Sequence, residues 1–196
     1  IVALLFARSG YAQSIMMSPG ILKYVIMFAP LGFVFALSFG INRMSTAAAQ
    51  ATYWAYAAVM GLSLSTIFLV YTGTSIAQTF FATAGAFAGL SLFGYTTKKD
   101  LSGFGTFLIM GVVGLLVASI VNIFMQSGPL DLVISALGVL IFAGLTAYDT
   151  QKIKSMYSYV AGSDMVGKTV VMGALQLYLD FINMFMFLLR LFGSRD

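Results

Sequence analysis

Two aspartates stand in stretches that otherwise read as membrane helix. Asp180 lies inside LQLYLDFINMFMFLLRLFG (175–193), and Asp149 lies in LTAYDTQKIK (145–154). A carboxylate at the centre of a bilayer costs roughly 2.5 to 3.5 kcal/mol on insertion scales, so a chain that keeps one there uses it. At 100° per residue, Gly173, Gln176, Asn183 and Phe187 fall within about 60° of Asp180 on a helical wheel. Gly173, Gln176, Asp180 and Asn183 thus form one small and polar stripe, which should face protein or water and not lipid. Asp149 comes just before Lys152 and Lys154, whose long stems can snorkel toward a membrane surface.

If the helix carrying Asp149 continues through Lys154, the two carboxyl groups come within about a turn of each other in depth. Two carboxylates in a poorly hydrated site cannot both ionise cheaply, so such a pair titrates as one unit and can serve as a proton sensor. The same anionic oxygens suit a hard cation such as calcium. The simpler alternative is a protonated Asp180 bonded to Asn183 or to a backbone carbonyl, with Asp149 an ordinary interfacial residue.

Composition limits the other chemistry. The 196 residues are 60% hydrophobic and 8% charged, with a mean hydropathy of +0.98. That is an all-α polytopic membrane protein, read here as one domain over residues 1–196. Cys, His and Glu are absent. The usual zinc and haem ligands and any triad with a His base are therefore excluded. Side-chain carboxylate chemistry must come from Asp100, Asp131, Asp149, Asp164, Asp180 and Asp196. No resident cofactor is expected. The net charge of +4 comes from scattered basic residues, which is not the clustered footprint of a nucleic-acid binder.

The elements that must position the aspartates are long apolar runs. Segments 22–41, 50–71, 76–95, 104–125, 130–148 and 172–192 approach the ~20 residues needed to cross hydrocarbon. The opening IVALLF reads as a truncated first helix, in preference to a signal-peptide core, giving seven spans in a bundle with short connections. The loops after the second, fourth and sixth helices hold Arg43, Lys98, Lys99, Lys152, Lys154 and Lys168, whereas the third and fifth loops hold no basic residue. The positive-inside rule makes the basic loops cytoplasmic and the N-terminus cytoplasmic, against the contrary placement of Arg8, Lys23, Arg190 and Arg195. Gly85 and Gly89, Gly111 and Gly114, and Gly138 and Gly144 are spaced for close helix contact. Pro30 should bend the second span.

GYTTKKDLSGFG (94–105), GLTAYDTQKIK (144–154) and LYLDFINMFMFLLRLFG (177–193) resemble the transmembrane Bax inhibitor motif family, also called the Bax inhibitor-1 family, and most nearly its bacterial inner-membrane members. The resemblance runs over nearly the whole chain from about residue 22. It implies a seven-helix fold with the last helix central, a pH-sensitive calcium leak across the inner membrane, and a di-aspartyl sensor at Asp149 and Asp180. It also implies a latch in which an arginine of the second helix pairs with the aspartate of the sixth. Arg43 is the candidate here. The implied partners are calcium, protons and the bilayer.

Two other functions compete. One is a regulator that binds other membrane proteins, such as a membrane-bound protease to which some bacterial relatives are linked. The other is an intramembrane aspartyl protease, which also places Tyr-Asp on a sixth helix and Asp on a seventh. Its Gly-x-Gly-Asp motif is replaced here by Leu177, Tyr178, Leu179 and Asp180, and its Pro-Ala-Leu motif is missing, since no proline follows Pro129. The chain is therefore read as not an enzyme.

Overall fold

A computed structural model describes residues 1–16 and 20–195 of the chain; Asp196 lies outside the described residues. Two short helices, α1 (Val2–Arg8) and α2 (Tyr11–Met16), precede the long elements. These are α3 (Leu22–Gly40), α4 (Thr46–Leu64) with its short continuation α5 (Ile67–Val70), α6 (Gly73–Thr96), α7 (Ser102–Met125), α8 (Gly128–Val160) and α9 (Val166–Phe192). A single 3-10 turn, Ile41–Arg43, ends α3.

Local chemistry sets several of the boundaries. Ser45, Thr72 and Ser127 cap α4, α6 and α8, each side-chain oxygen accepting a backbone N–H three residues on. That contact satisfies one of the orphan donors of the first turn. Pro129 fits the first turn of α8, where its missing N–H costs nothing. Gln126 ends α7 in the left-handed region at φ 49°. Between α4 and α5, the hydroxyls of Ser65 and Thr66 bond back to the carbonyls of Leu62 and Ser63, and the helix is interrupted there.

Among the described residues, six helices are long and apolar enough to cross a membrane. The partial first helix expected ahead of them corresponds to Val2–Arg8, whose seven residues are fewer than the ~20 a crossing needs. Its place in the packing is nonetheless definite: Val2 lies against Gly61 of α4, and Ala12 of α2 is fully buried.

The apolar core falls into three clusters, and α9 contributes to every one. Met184 joins Leu108, Leu115, Ile134, Phe142 and Leu145 of α7 and α8. Val171 and Leu175 join Leu37, Ala49 and Tyr56 of α3 and α4. Phe185 and Leu189 join Ile67, Tyr71 and Ile76 at the α5–α6 corner. No residue from Val171 to Leu189 is exposed. By contrast, α7 turns Phe107, Met110, Val117 and Phe124 outward, as a lipid-facing helix does.

The glycine expectations separate. Gly111, Gly138 and Gly144 are close-packing sites, against Ile141, Phe187 and Leu108 respectively. Gly85, Gly89 and Gly114 meet nothing within 4 Å. The stripe that α6 buries runs through Ser75, Ile76, Thr79, Thr83 and Gly94, which leaves Gly85 and Gly89 on the outer face.

Candidate functional site

The length of α8 decides the geometry of the aspartate pair. The sequence suggested an end near residue 148, but the helix continues to Val160. Lys152 and Lys154, expected in a loop, lie on that extension. Asp149 is thereby held on a rigid helix that runs antiparallel beside α9. Gly173 lets the two helices approach, since a Cβ there would sit 3.0 Å from a methyl of Ile153.

Asp149 and Asp180 are 3% and 4% exposed. Their carboxyl groups face each other within hydrogen-bonding reach, and the Gln176 side chain also reaches Asp149. Asp149 Oδ1 and Asp180 Oδ2 are buried without a hydrogen-bond partner. Two fully ionised carboxylates have no donor to offer each other. One proton between them turns repulsion into a short, charge-assisted O–H···O bond. Asn183, on the same stripe, spends its amide N–H on the carbonyl of Leu179 at 2.8 Å. In this structure the group facing the Asp180 carboxyl is that of Asp149.

The pair opens on a cleft of about 350 Å³, walled by Ile109, Val112 and Val113 of α7, Phe142 and Leu145 of α8, and Gln176, Leu179 and Asn183 of α9. A hard cation entering it would meet two carboxylates and two side-chain amides. Calcium takes six to eight oxygens, so water would complete its shell. Among the described residues, no third His, Cys, Asp or Glu joins the pair.

Toward the other end of α8 and α9 the cleft meets an apolar barrier. Phe187 stacks on Phe142 with ring centroids 5.9 Å apart. It is seated against Gly138, where a Cβ would come within 2.6 Å of the ring. The Arg190 guanidinium lies 5.8 Å from the centroid of Phe187 and 3.9 Å from Asp131. Beyond the barrier is a second pocket of about 370 Å³, again between α7, α8 and α9, lined by Ser119, Asn122, Asp131, Arg190 and Arg195 among others.

Arg43 is not brought to the pair. It is exposed at the end of the 3-10 turn, and among the described residues the ion pair formed is that of Arg190 with Asp131, not one between Arg43 and Asp149. Next to it, Lys168 of α9 donates to the carbonyl of Asn42 at 3.3 Å and ties that corner down. The α3–α8 latch is not formed in this structure.

The sequence stretches that look most distinctive turn out to interlock. Gly94 receives the backbone of Ala147, with its carbonyl oxygen in contact, and Gly105 receives the ring of Tyr148. Gln151 accepts from the N–H of Leu101 at 2.9 Å and donates to the carbonyl of Lys99 at 2.8 Å. Residues on both sides of Asp149 are therefore held by the 94–105 segment. Sequence reasoning treated that segment only as a signature. The signal was present in two of its glycines, Gly94 and Gly105, which flank a polar loop at the spacing of two helix ends.

Residues 1–196 match the family described as "Inhibitor of apoptosis-promoting Bax1". An uncharacterized protein of Rickettsia prowazekii is 51% identical over 172 residues, covering 87% of this chain and 72% of that protein. The inner membrane protein YbhL of Escherichia coli K12 is 44% identical over 196 residues, covering 99% of this chain and 84% of its own length. An uncharacterized membrane protein of Streptococcus pyogenes is 41% identical over 183 residues, covering 93% and 79% respectively.

Proposed function

The chain belongs to the inhibitor of apoptosis-promoting Bax1 family, the Bax inhibitor-1 family whose motifs it carries, and we propose that it is a pH-gated cation leak, with calcium as the ion carried. The observation that supports this reading best is the pair of facing, buried carboxyl groups that open, with the amides of Gln176 and Asn183, on a largely apolar cleft. In this reading the pair senses protons and binds the cation, α9 is the central element, and the Phe142–Phe187 stack is the closed barrier between cleft and outer pocket. A hydrophobic constriction of this kind stops ions by excluding their water. The membrane is the bacterial inner membrane, as the name of the Escherichia coli relative suggests for that protein. The lysine-rich end, with Lys98, Lys99, Lys152 and Lys154, faces the cytoplasm. The Arg43 latch is not carried into the proposal.

The deciding experiment is calcium flux into proteoliposomes that hold only this protein, at several pH values. Flux that changes with pH supports the reading. Its absence at every pH overturns it. One observation favours a second reading, a regulator that binds other membrane proteins: Gly85 and Gly89 leave an open, small-residue strip on the outer face of α6. A partner helix could approach closely there.

A further inference from the structure

We propose that the pocket between the α6–α7 connection and the far end of α8 binds a phosphate group. The pocket has a volume of about 530 Å³ and is lined by Lys98, Lys99, Lys154, Asp100 and the hydroxyl residues Thr97 and Ser155, among others. It lies outside the aspartate cleft, and the inference does not depend on the ion-leak reading.

Two features point to an anion. First, three ammonium groups share the pocket with one carboxylate, leaving positive charge in excess. Among the described residues, the side chains of Lys98 and Lys99 have no hydrogen-bond or ion-pair partner, whereas the Asp100 carboxylate accepts the N–H of Ser102 at 2.9 Å. Two of the three cations are thus free, and the anion is already engaged.

Second, the loop is held in shape by contacts far apart in sequence. Gln151 uses both ends of its amide on Leu101 and Lys99. Lys154 donates to the Tyr95 carbonyl at 2.8 Å and lies 4.3 Å from the centroid of the Tyr95 ring. Lysines that merely mark a membrane surface need no such clamp. A loop fixed in advance lowers the ordering cost of binding.

The hydroxyls of Ser155 and Ser158 spend their protons on the carbonyls of Gln151 and Lys154, so the ammoniums of Lys98 and Lys99 supply the donors for a ligand. Lysine binds phosphate as a point charge. A phosphate here comes either from the headgroup of an anionic phospholipid or from solution, and the two sources share this chemistry.

The test titrates the full chain in neutral detergent with short-chain phosphatidylglycerol, short-chain phosphatidylcholine or inorganic phosphate. Binding is followed at the backbone amide resonances of Lys99 and Leu101. Phosphatidylglycerol should bind saturably and phosphatidylcholine far more weakly. Each lysine beside an anionic headgroup is worth about a factor of five, so Lys98→Gln with Lys99→Gln should weaken binding roughly 30-fold. Lys98→Arg with Lys99→Arg should retain it, and Arg8→Gln should leave it unchanged. Gln151→Ala keeps every charge but frees the loop, and should also weaken binding. Competition by inorganic phosphate identifies a free-phosphate site. Phosphatidylglycerol binding that phosphate does not displace identifies a lipid site. Equal binding of the two lipids, or wild-type affinity in either the Lys→Gln double variant or Gln151→Ala, overturns the proposal.

Discussion

Asp149 of α8 and Asp180 of α9 present their carboxyl groups to each other in a site that leaves each residue less than 5% exposed. The contact exists because α8 does not stop at the polar residues that follow Asp149 but runs on to Val160. Its extension is clamped by Gln151, and its approach to α9 is permitted by Gly173. In the proposed reading the two carboxyls share a proton, and removing either one should abolish it while leaving the helices in place.

Asp180→Asn therefore tests the sensor directly. The amide keeps the shape and can still donate to Asp149, but it cannot exchange a proton with it. Flux through the variant should lose most of its dependence on pH, because that dependence belongs to the pair and not to one residue. A proteoliposome flux profile that overlays the wild type across the pH range would remove Asp180 from the mechanism.

Calcium and protons compete for the same oxygens in this reading. Bound carboxylates must be ionised, so apparent calcium affinity should fall as pH is lowered. Asp149→Asn should weaken binding by far more than Asp164→Asn, since Asp164 is exposed in the loop between α8 and α9. Calorimetry on the two variants checks this. Equal losses would place the cation elsewhere.

The α6–α7 loop offers a titration whose sign is fixed. Hydrogen bonds from the Ser102 side chain and backbone hold the Asp100 carboxyl below the ordinary aspartate value. A group lowered in the folded state contributes stability above its unfolded value and loses it as pH falls through the folded one. Carbon-detected titration of Asp100 should give a depressed midpoint, and Ser102→Ala should move it back up toward the ordinary value. A midpoint unmoved by the substitution would show that the Ser102 hydroxyl is not the cause and leave the backbone N–H to account for it.

How far the sequence reaches can be judged residue by residue. The apolar runs are legible because a span must be long and uncharged, and the polar stripe of α9 is legible because helical period maps directly onto a face. The start of α9 is not: Val166 to Val171 form part of the helix, but Lys168 and Gly167 read as loop chemistry. The length of α8 is hidden for the same reason, since Asp149, Gln151, Lys152 and Lys154 break the hydropathy of a helix that tertiary contacts continue. The meeting of Asp149 with Asp180 needs that hidden extension. The partners of Gly94, Gly105 and Gly138 are hidden too, because spacing marks a small residue without saying what fills the space beside it. Arg43 sits at the expected helix end, but among the described residues it forms no ion pair with Asp149 in this structure.

Phe187 gives the sharpest test of the barrier. Its ring fills the space over Gly138, stacks on Phe142 and carries Arg190 near its edge or face at 5.8 Å. Gly138→Ala puts a methyl group where the ring now lies, so the ring must move. Overpacking of this kind costs about 1 to 3 kcal/mol. Phe187→Ala removes the ring and costs about 3 to 5 kcal/mol if the space stays empty. The two changes should not add. With the ring gone, the alanine methyl at 138 has room, and the penalty of Gly138→Ala should shrink toward zero in the Phe187→Ala background. Both single variants should raise basal calcium leak, while Phe187→Leu, still apolar and bulky, should keep it low. Thermal unfolding in detergent measures the coupling, and flux measures the leak. If the penalties add and leak stays at the wild-type level in every variant while the wild type itself conducts, the barrier lies elsewhere in the bundle.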